Sequence, residues 1–386
     1  MKKKNKKIHL SVPYIDSNEK KQVIKSVEKN EISSYGSNVP LFEKKISKLT
    51  GAKYNLAVNT GSSALLLALI SSGVKENDLI ITQSYTFTAT TNSIIHSGAT
   101  PWLFDIDKEN YSINLNDVKK ILTDNCYKRG KFYYHKFTNQ RVFAICPVFS
   151  FSIVPRLDKL RSLAKKFNLK IILDSACAIN SKFYKTNFIN FADIAIFSFN
   201  GNKSFTTGSG GLVSTNSKYY HSKAKLFSEN SKFKANYSYL DIGYNLRMNN
   251  LNASIGLEQI KKFKKIKTKK NLITKKYKQL ENIKFLKMLP CPVYSNHLLW
   301  INCLILLNSN DARKIIYLLK KNHVQTNYFW KPMHLQVFKK KFLIEKNMKN
   351  TNHIWNKIVP LPSSAGLESI DQNKIINLIK KYFSKR

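Results

Sequence analysis

The sequence has few cysteines, and none of the five stands in a CxxC pair. Cys126, Cys146, Cys177, Cys291 and Cys303 are odd in number and far apart. Neither a zinc site nor a disulfide framework is signalled, no metal is expected, and the usage fits a reducing compartment. Long apolar runs are missing as well. The longest, ALLLALI at 64–70, is far shorter than the roughly 20 residues that a bilayer span needs. The basic start MKKKNKKIHLSVP has no apolar stretch before Pro13, so no secretory signal is expected. A soluble, cytoplasmic chain with no membrane partner is the expectation. Internal repeats and linkers rich in Gly, Pro or Ser are also absent.

Acidic residues are the other shortage. Asp and Glu number 23 against 65 Lys and Arg in 386 residues, a net charge of +42. Such an excess attracts polyanions. It is spread along the chain mainly as Lys, however, and no helix-turn-helix, ribonucleoprotein or zinc-finger pattern accompanies it. We read it as solvated helix faces and expect no nucleic-acid partner, with anionic substrates such as nucleotide diphosphates as natural ligands. Hydrophobic residues make up 43% of the chain, enough to bury a large core.

From about residue 55 to 215, short apolar runs alternate with helical patterns. Strands are expected at NLAV (55–58), DLIIT (78–82), TPWLFDI (100–106), VFAICPV (142–148), KIILD (170–174), DIAIFSF (193–199) and GLVST (211–215). Between them lie amphipathic segments such as 62–72 and 156–167. The alternation predicts an α/β fold with a mostly parallel sheet flanked by helices. After about 250 the pattern changes to a long basic helix (251–282), a strand-like LLWINCLILL (298–307) and helices near 310–321 and 370–383. The expected division is a large α/β domain at 1–250, with an N-terminal arm at 1–30, and a smaller C-terminal α+β domain at 251–386.

Ligands of open α/β sheets bind beyond the carboxyl ends of the strands, and three loops there carry candidate chemistry. In NTGSSALL (59–66), Gly61, Ser62 and Ser63 open a helix whose N–H groups could cradle a phosphate. An ordinary N-cap explains the same residues. In ILDSACA, Asp174 ends an apolar strand, where a carboxylate is costly unless paired or hydrogen-bonded, or else caps the next element. In SFNGNKSFTTGSGG (198–211), Lys203 sits among small residues and hydroxyls, unlike its many siblings in strings such as KKFKKIKTKK. A constrained lysine there should have its pKa pulled down, so that its neutral amine can condense with a carbonyl. Ser198, Thr206 and Thr207 offer hydroxyl donors to phosphate oxygens. A Schiff-base lysine, a buried Asp for a pyridinium nitrogen and a phosphate cup together specify pyridoxal 5'-phosphate. Phe87, in QSYTFTAT, could stack on its ring or be a plain core aromatic.

These blocks resemble the DegT/DnrJ/StrS sugar-nucleotide aminotransferases, which have the type I fold of pyridoxal-phosphate-dependent transferases. The resemblance runs from IHLSVP (8–13) to LPSSAGL (361–367), through NTGSSALLLAL, GATPWLFDID, DIAIFSFNGNKSFTTGSGG and IGYNLRMNNLNASIGLEQI in family order. It implies that Lys203 holds the cofactor covalently and that Asp174 pairs with its ring nitrogen. It further implies that Gly61, Ser62, Ser63 and Ser198 contact the phosphate, and that Phe87 stacks on the ring. Asn245 in GYNLRM matches an asparagine that reaches the phosphate of the neighbouring subunit, which implies a homodimer. FSFNGNK, WKPMHLQ and LPSSAGL look most like the branch acting on UDP-linked 4-keto-6-deoxy-N-acetylhexosamines, with GDP-perosamine synthases as near neighbours. The implied reaction moves an amino group, from glutamate, to the C4 ketone of such a sugar for surface glycan synthesis. Lys331 and His334 are candidate substrate contacts, or parts of a polar surface loop.

Four positions depart from the family pattern. Cys177 stands where Gln or Glu is usual near the cofactor's ring hydroxyl. Ser209 replaces the Glu of TTGEGG, Phe149 a common His, and Asn327 a frequent Arg. Dehydratase relatives generally replace the lysine with His, so Lys203 speaks against that activity. A non-catalytic polyanion-binding protein on the same fold is the alternative of a different class, and it would have no use for the Asp174–Lys203 pair.

Overall fold

The computed structural model describes residues 6–234 and 237–385. Its centre is a large mixed sheet built from the apolar runs of the first two-thirds of the chain. The strands are β1 (Tyr54–Val58), β2 (Leu79–Gln83), β3 (Thr100–Phe104), β4 (Arg141–Ile145), β5 (Lys170–Asp174), β6 (Ile194–Ser198) and β7 (Gly211–Thr215). They lie side by side in the order β3-β2-β4-β5-β6-β7-β1. Within this set β7 runs antiparallel to both its neighbours and the other pairs are parallel. The strands are buried almost throughout, which is why they read as continuous apolar runs rather than as alternating ones. A hairpin at Cys126–Arg129 and Phe132–His135 extends the sheet beside β4. Its sequence, CYKRGKFYYH, is polar and aromatic, and apolar patterning does not reveal it.

The connections are helical. Gly61–Ser72 is apolar on every side because it is wedged against strands and helices at once. Leu157–Phe167 is amphipathic, with Leu157, Leu160, Leu163, Ala164 and Phe167 inward. Scarce carboxylates are spent on structure: Asp78 takes a bidentate pair from Arg141, at 2.7 and 2.5 Å, joining the starts of β2 and β4.

A second core lies on a three-stranded antiparallel sheet, Leu286–Met288, Asn302–Leu306 and Ile358–Leu361, covered by the helices Ser309–Lys321 and Ser369–Phe383. The long helix Asn250–Tyr277 serves both cores: Ala253, Leu257 and Phe263 pack in the first, Ile273 and Tyr277 in the second. Chain from beyond residue 251 also returns to the large sheet, where Leu343–Ile344 pairs with β3 as an edge strand. Near the other end of the chain, Ile8 bridges Val324 of the second core.

Candidate active site

The parallel strands end on one side of the sheet, and β7, running the other way, starts there. Between these ends lies a cavity of about 430 Å³ lined by Gly61, Ser62, Phe87, Asp174, Cys177, Ser198 and Lys203. Strand register builds its floor. Gly211 pairs with Val58 on one side and Ser198 on the other. A side chain at Gly211 would collide with the Thr60 carbonyl, and a Cβ on Gly61 would lie 2.7 Å from that of Ser198. Both glycines are therefore required by close approach of the backbone.

The helix that starts at Gly61 is capped by Thr60, whose Oγ1 accepts from the Ser63 N–H at 3.0 Å and lies 2.8 Å from the Ser63 hydroxyl. Ser63 is thereby turned into the cap and does not line the cavity. The N–H groups of Gly61 and Ser62 have no acceptor among the described residues. Two outward N–H groups at a helix start form a site for an anion.

Asp174 is buried at the end of β5. Its Oδ2 accepts from the Thr90 hydroxyl at 2.7 Å and its Oδ1 from the Ala176 N–H at 3.2 Å. Burial raises its pKa, against the pull of Thr90, Ala176 and the charge of Lys203. No cation pairs with it directly among the described residues. Such a carboxylate is suited to a protonated ring nitrogen brought by a ligand.

Lys203 follows β6 on a turn tied by its own N–H to the Asn200 carbonyl at 2.9 Å. The side chain is half-buried. Its Nζ donates to Cys177 Sγ at 3.0 Å and sits 4.2 Å from the ring centroid of Trp300. Thr206 and Thr207 do not face a ligand. Their hydroxyls donate to the carbonyls of Phe199 and Ser209, at 3.0 and 2.6 Å, and fix the turn instead. Phe87 precedes the helix Thr88–His96 at the cavity wall and is 56% exposed as a residue, free to cover a planar ligand.

Other sequence candidates lie elsewhere. His334 is buried between Ser84, 2.6 Å from Nδ1, and Asn352, 2.9 Å from Nε2. Burial lowers its pKa, so it serves as a neutral structural link. Lys331 is exposed, and neither residue lines the cavity. Their neighbours Phe329 and Trp330 do, together with Trp300. These three aromatics, and Thr90 beside Asp174, were not singled out from the sequence. The aromatic run Tyr328-Phe329-Trp330, which leads into KPMHLQ, is the available signal. Asn245 is exposed and bridges Glu229. Of the four departures, Cys177, Phe149 and Ser209 line the cavity, whereas Asn327 is exposed and lies outside it.

A cavity holding an amine, an unpaired buried carboxylate, outward helix N–H groups and an aromatic cover fits pyridoxal phosphate. The sequence profile of the DegT/DnrJ/EryC1/StrS aminotransferase family matches residues 13–380. The chain belongs to that family. It is a pyridoxal-phosphate-dependent aminotransferase. It is 33% identical over 269 residues to the GDP-perosamine synthase of Escherichia coli O157:H7, covering 69% of each chain. It is 26% identical to the UDP-4-amino-4,6-dideoxy-N-acetyl-beta-L-altrosamine transaminase of Helicobacter pylori, over 98% of each. Its fold matches Spr1654 of Streptococcus pneumoniae, solved in a PLP form, with a TM-score of 0.87 at 21% identity over 98% and 99% of the two chains. Among the described residues no helix is long and apolar enough to cross a membrane.

Proposed function

We propose that this enzyme transfers an amino group from an amino acid, with glutamate as donor, to the C4 ketone of a nucleotide-linked 4-keto-6-deoxy sugar. The sugar is a UDP-linked N-acetylhexosamine derivative destined for surface glycan. The convergence of Lys203 and Asp174 on one cavity carries the reading, and the names of the relatives point to nucleotide sugars.

In this reading the Gly61 and Ser62 N–H groups, with Ser198, would hold the cofactor phosphate, Phe87 would cover the ring, and Asp174 would accept from the protonated ring nitrogen. When bound, the cofactor supplies an electron sink for the reacting carbon. Lys203 Nζ takes the proton from the donor's Cα and later delivers one to C4 of the sugar, fixing its configuration. Cys177, which lines the same cavity, would lie near the ring hydroxyl. Asn245 reaches the phosphate of a second copy, so the working unit is a cytoplasmic homodimer, with the two domains of each subunit divided near residue 250.

A GDP-linked sugar is the second reading, favoured by the 33% identity to a GDP-perosamine synthase. Incubation with glutamate and a panel of UDP-, GDP- and dTDP-4-keto-6-deoxy sugars, with products identified by mass, decides between them. Lys203→Ala should form no product and retain no covalent cofactor after borohydride. Covalent retention by Lys203→Ala equal to that of wild type would sink the assignment.

A further inference from the structure

The contacts of Lys203 lead to one residue from a distant part of the chain, Trp300. It is 4% exposed and stands just before the strand Asn302–Leu306 of the second sheet. Its ring face lies against the amine, with Lys203 Nζ 4.2 Å from the centroid. Its indole N–H donates to the Asn202 carbonyl at 2.6 Å, so the same side chain grips the peptide unit that joins Asn202 to Lys203. Its backbone N–H donates at 3.2 Å to the Ser152 hydroxyl, which donates in turn at 2.6 Å to the Cys177 carbonyl. Cys177 is the residue whose Sγ accepts from Lys203 at 3.0 Å. The ring and the thiol that touch the amine are thus also tied to each other.

Trp300 is itself anchored. The buried ammonium of Lys270, on the helix shared by the two cores, donates to the Trp300 carbonyl at 2.9 Å. Phe329 stacks on the indole at 5.8 Å and 8°. The Ser11 hydroxyl, from near the start of the chain, adds a second hydrogen bond to the Asn202 carbonyl at 2.7 Å. A buried indole N–H needs an acceptor, and this one finds it in the turn that carries Lys203 rather than in the strand that follows Trp300.

We infer that Trp300 is a positioning residue for Lys203: whenever Lys203 is not bonded to the cofactor, the ring face holds its amine and the indole N–H holds its turn. The inference rests on the reading of Lys203 as the reactive amine. In that reading the amine is free while it carries a proton to and from the reacting carbon, and it must return to the same place each time. An ammonium is attracted by the negative face of an indole, and a neutral amine is not attracted in this way. The ring therefore draws in the form of the amine that delivers a proton. Among the described residues, the other titratable groups that act on Lys203 are Cys177, by direct contact, and Asp174, through its charge.

Competitive labelling of the full-length, cofactor-free enzyme with trace acetic anhydride, read lysine by lysine by peptide mass spectrometry, tests this. At pH 8, Trp300→Leu should label Lys203 about fivefold faster than wild type, with lysines elsewhere in the chain unchanged. The gap should close towards pH 10.5, where lysine amines in general lose their charge. Equal labelling at pH 8 would overturn the inference. So would a gap that persists at pH 10.5, because the indole would then merely shield the amine. Trp300→Phe keeps a ring face and should label within about twofold of wild type. Its turn, released from the indole N–H, should exchange the Lys203 amide hydrogen about fivefold faster, and unchanged exchange would overturn the hold on the turn. Fluorinating all four tryptophans keeps the packing and makes the ring face less negative. It should also speed labelling of Lys203 at pH 8, even where Trp300→Leu does not fold, and no acceleration would overturn the role of the ring. Covalent retention of cofactor by Lys203→Ala counts separately, against the reading of Lys203 itself.

Discussion

Lys203 Nζ donates to Cys177 Sγ across 3.0 Å, so the amine that lines the cavity rests against a thiol. Burial raises the thiol's pKa, and the charge of Lys203 opposes this only in part. Cys177 is therefore mainly protonated near neutral pH, whereas Cys291 is exposed. Because the thiolate is the nucleophile, iodoacetamide at pH 7.5 should label Cys177 about tenfold more slowly than Cys291. The gap should narrow towards pH 9.5, and cofactor loading should protect Cys177 further. Peptide mass spectrometry gives both rates at once, and equal labelling at pH 7.5 contradicts the argument.

Among the described residues Asp174 pairs with no cation directly, and burial raises its pKa from the ordinary 3.8. A carboxyl whose pKa is raised by folding contributes stability at low pH and loses it as pH rises through the folded value. In cofactor-free protein at pH 8, Asp174→Asn should therefore be at least as stable as wild type, since the amide oxygen can still accept from Thr90. Its activity should fall by about 10²–10⁴. Cofactor loading should raise the melting temperature of wild type more than that of the variant. A cofactor-free variant clearly less stable than wild type would show that the carboxylate already has its partner.

The approach of Gly61 to Ser198 leaves no room for a methyl group. Gly61→Ala should cost about 1–3 kcal/mol by overpacking and displace the N–H groups of the helix start. Adding Ser198→Gly removes two of the three closest atoms, and should restore much of the melting temperature but not the cofactor affinity. Thermal melts with and without cofactor separate the two effects. A Gly61→Ala protein of wild-type stability would argue against the close approach.

Lys270 is buried and donates to the carbonyls of Trp300 and Ser363, at 2.9 and 2.7 Å. Lys270→Met strands both acceptors and should cost about 2–4 kcal/mol. Burial lowers the Lys270 pKa from 10.5 to about 7. Between those values the unfolded chain binds a proton that the folded one does not, so this group makes stability rise with pH from 7 to 10.5. The rise should be smaller in Lys270→Met than in wild type when melts at pH 7 and 9 are compared.

The sequence by itself determined the sheet, and it singled out Lys203 and Asp174, which the fold brings to one cavity. Continuous apolar runs such as KIILD and GLVST became strands with the same bounds, at Lys170–Asp174 and Gly211–Thr215, because strands buried on both faces leave an unbroken apolar trace. Lys203 and Asp174 stood out because each occupies surroundings that its residue type otherwise avoids. The polar hairpin at 126–135 left no such trace, since its pairing is supplied by β4. Which hydroxyls face a ligand was also decided only in three dimensions. Ser63, Thr206 and Thr207 are bound to their own backbone, whereas Ser62 and Ser198 line the cavity. Likewise His334 went to a structural link, and the wall beside Lys203 came from Trp300 and Trp330, 30 residues apart in the chain. Local pattern reports burial and backbone preference. The direction of a side chain, and its neighbour from a distant segment, are set by the packing of the two cores around the helix they share.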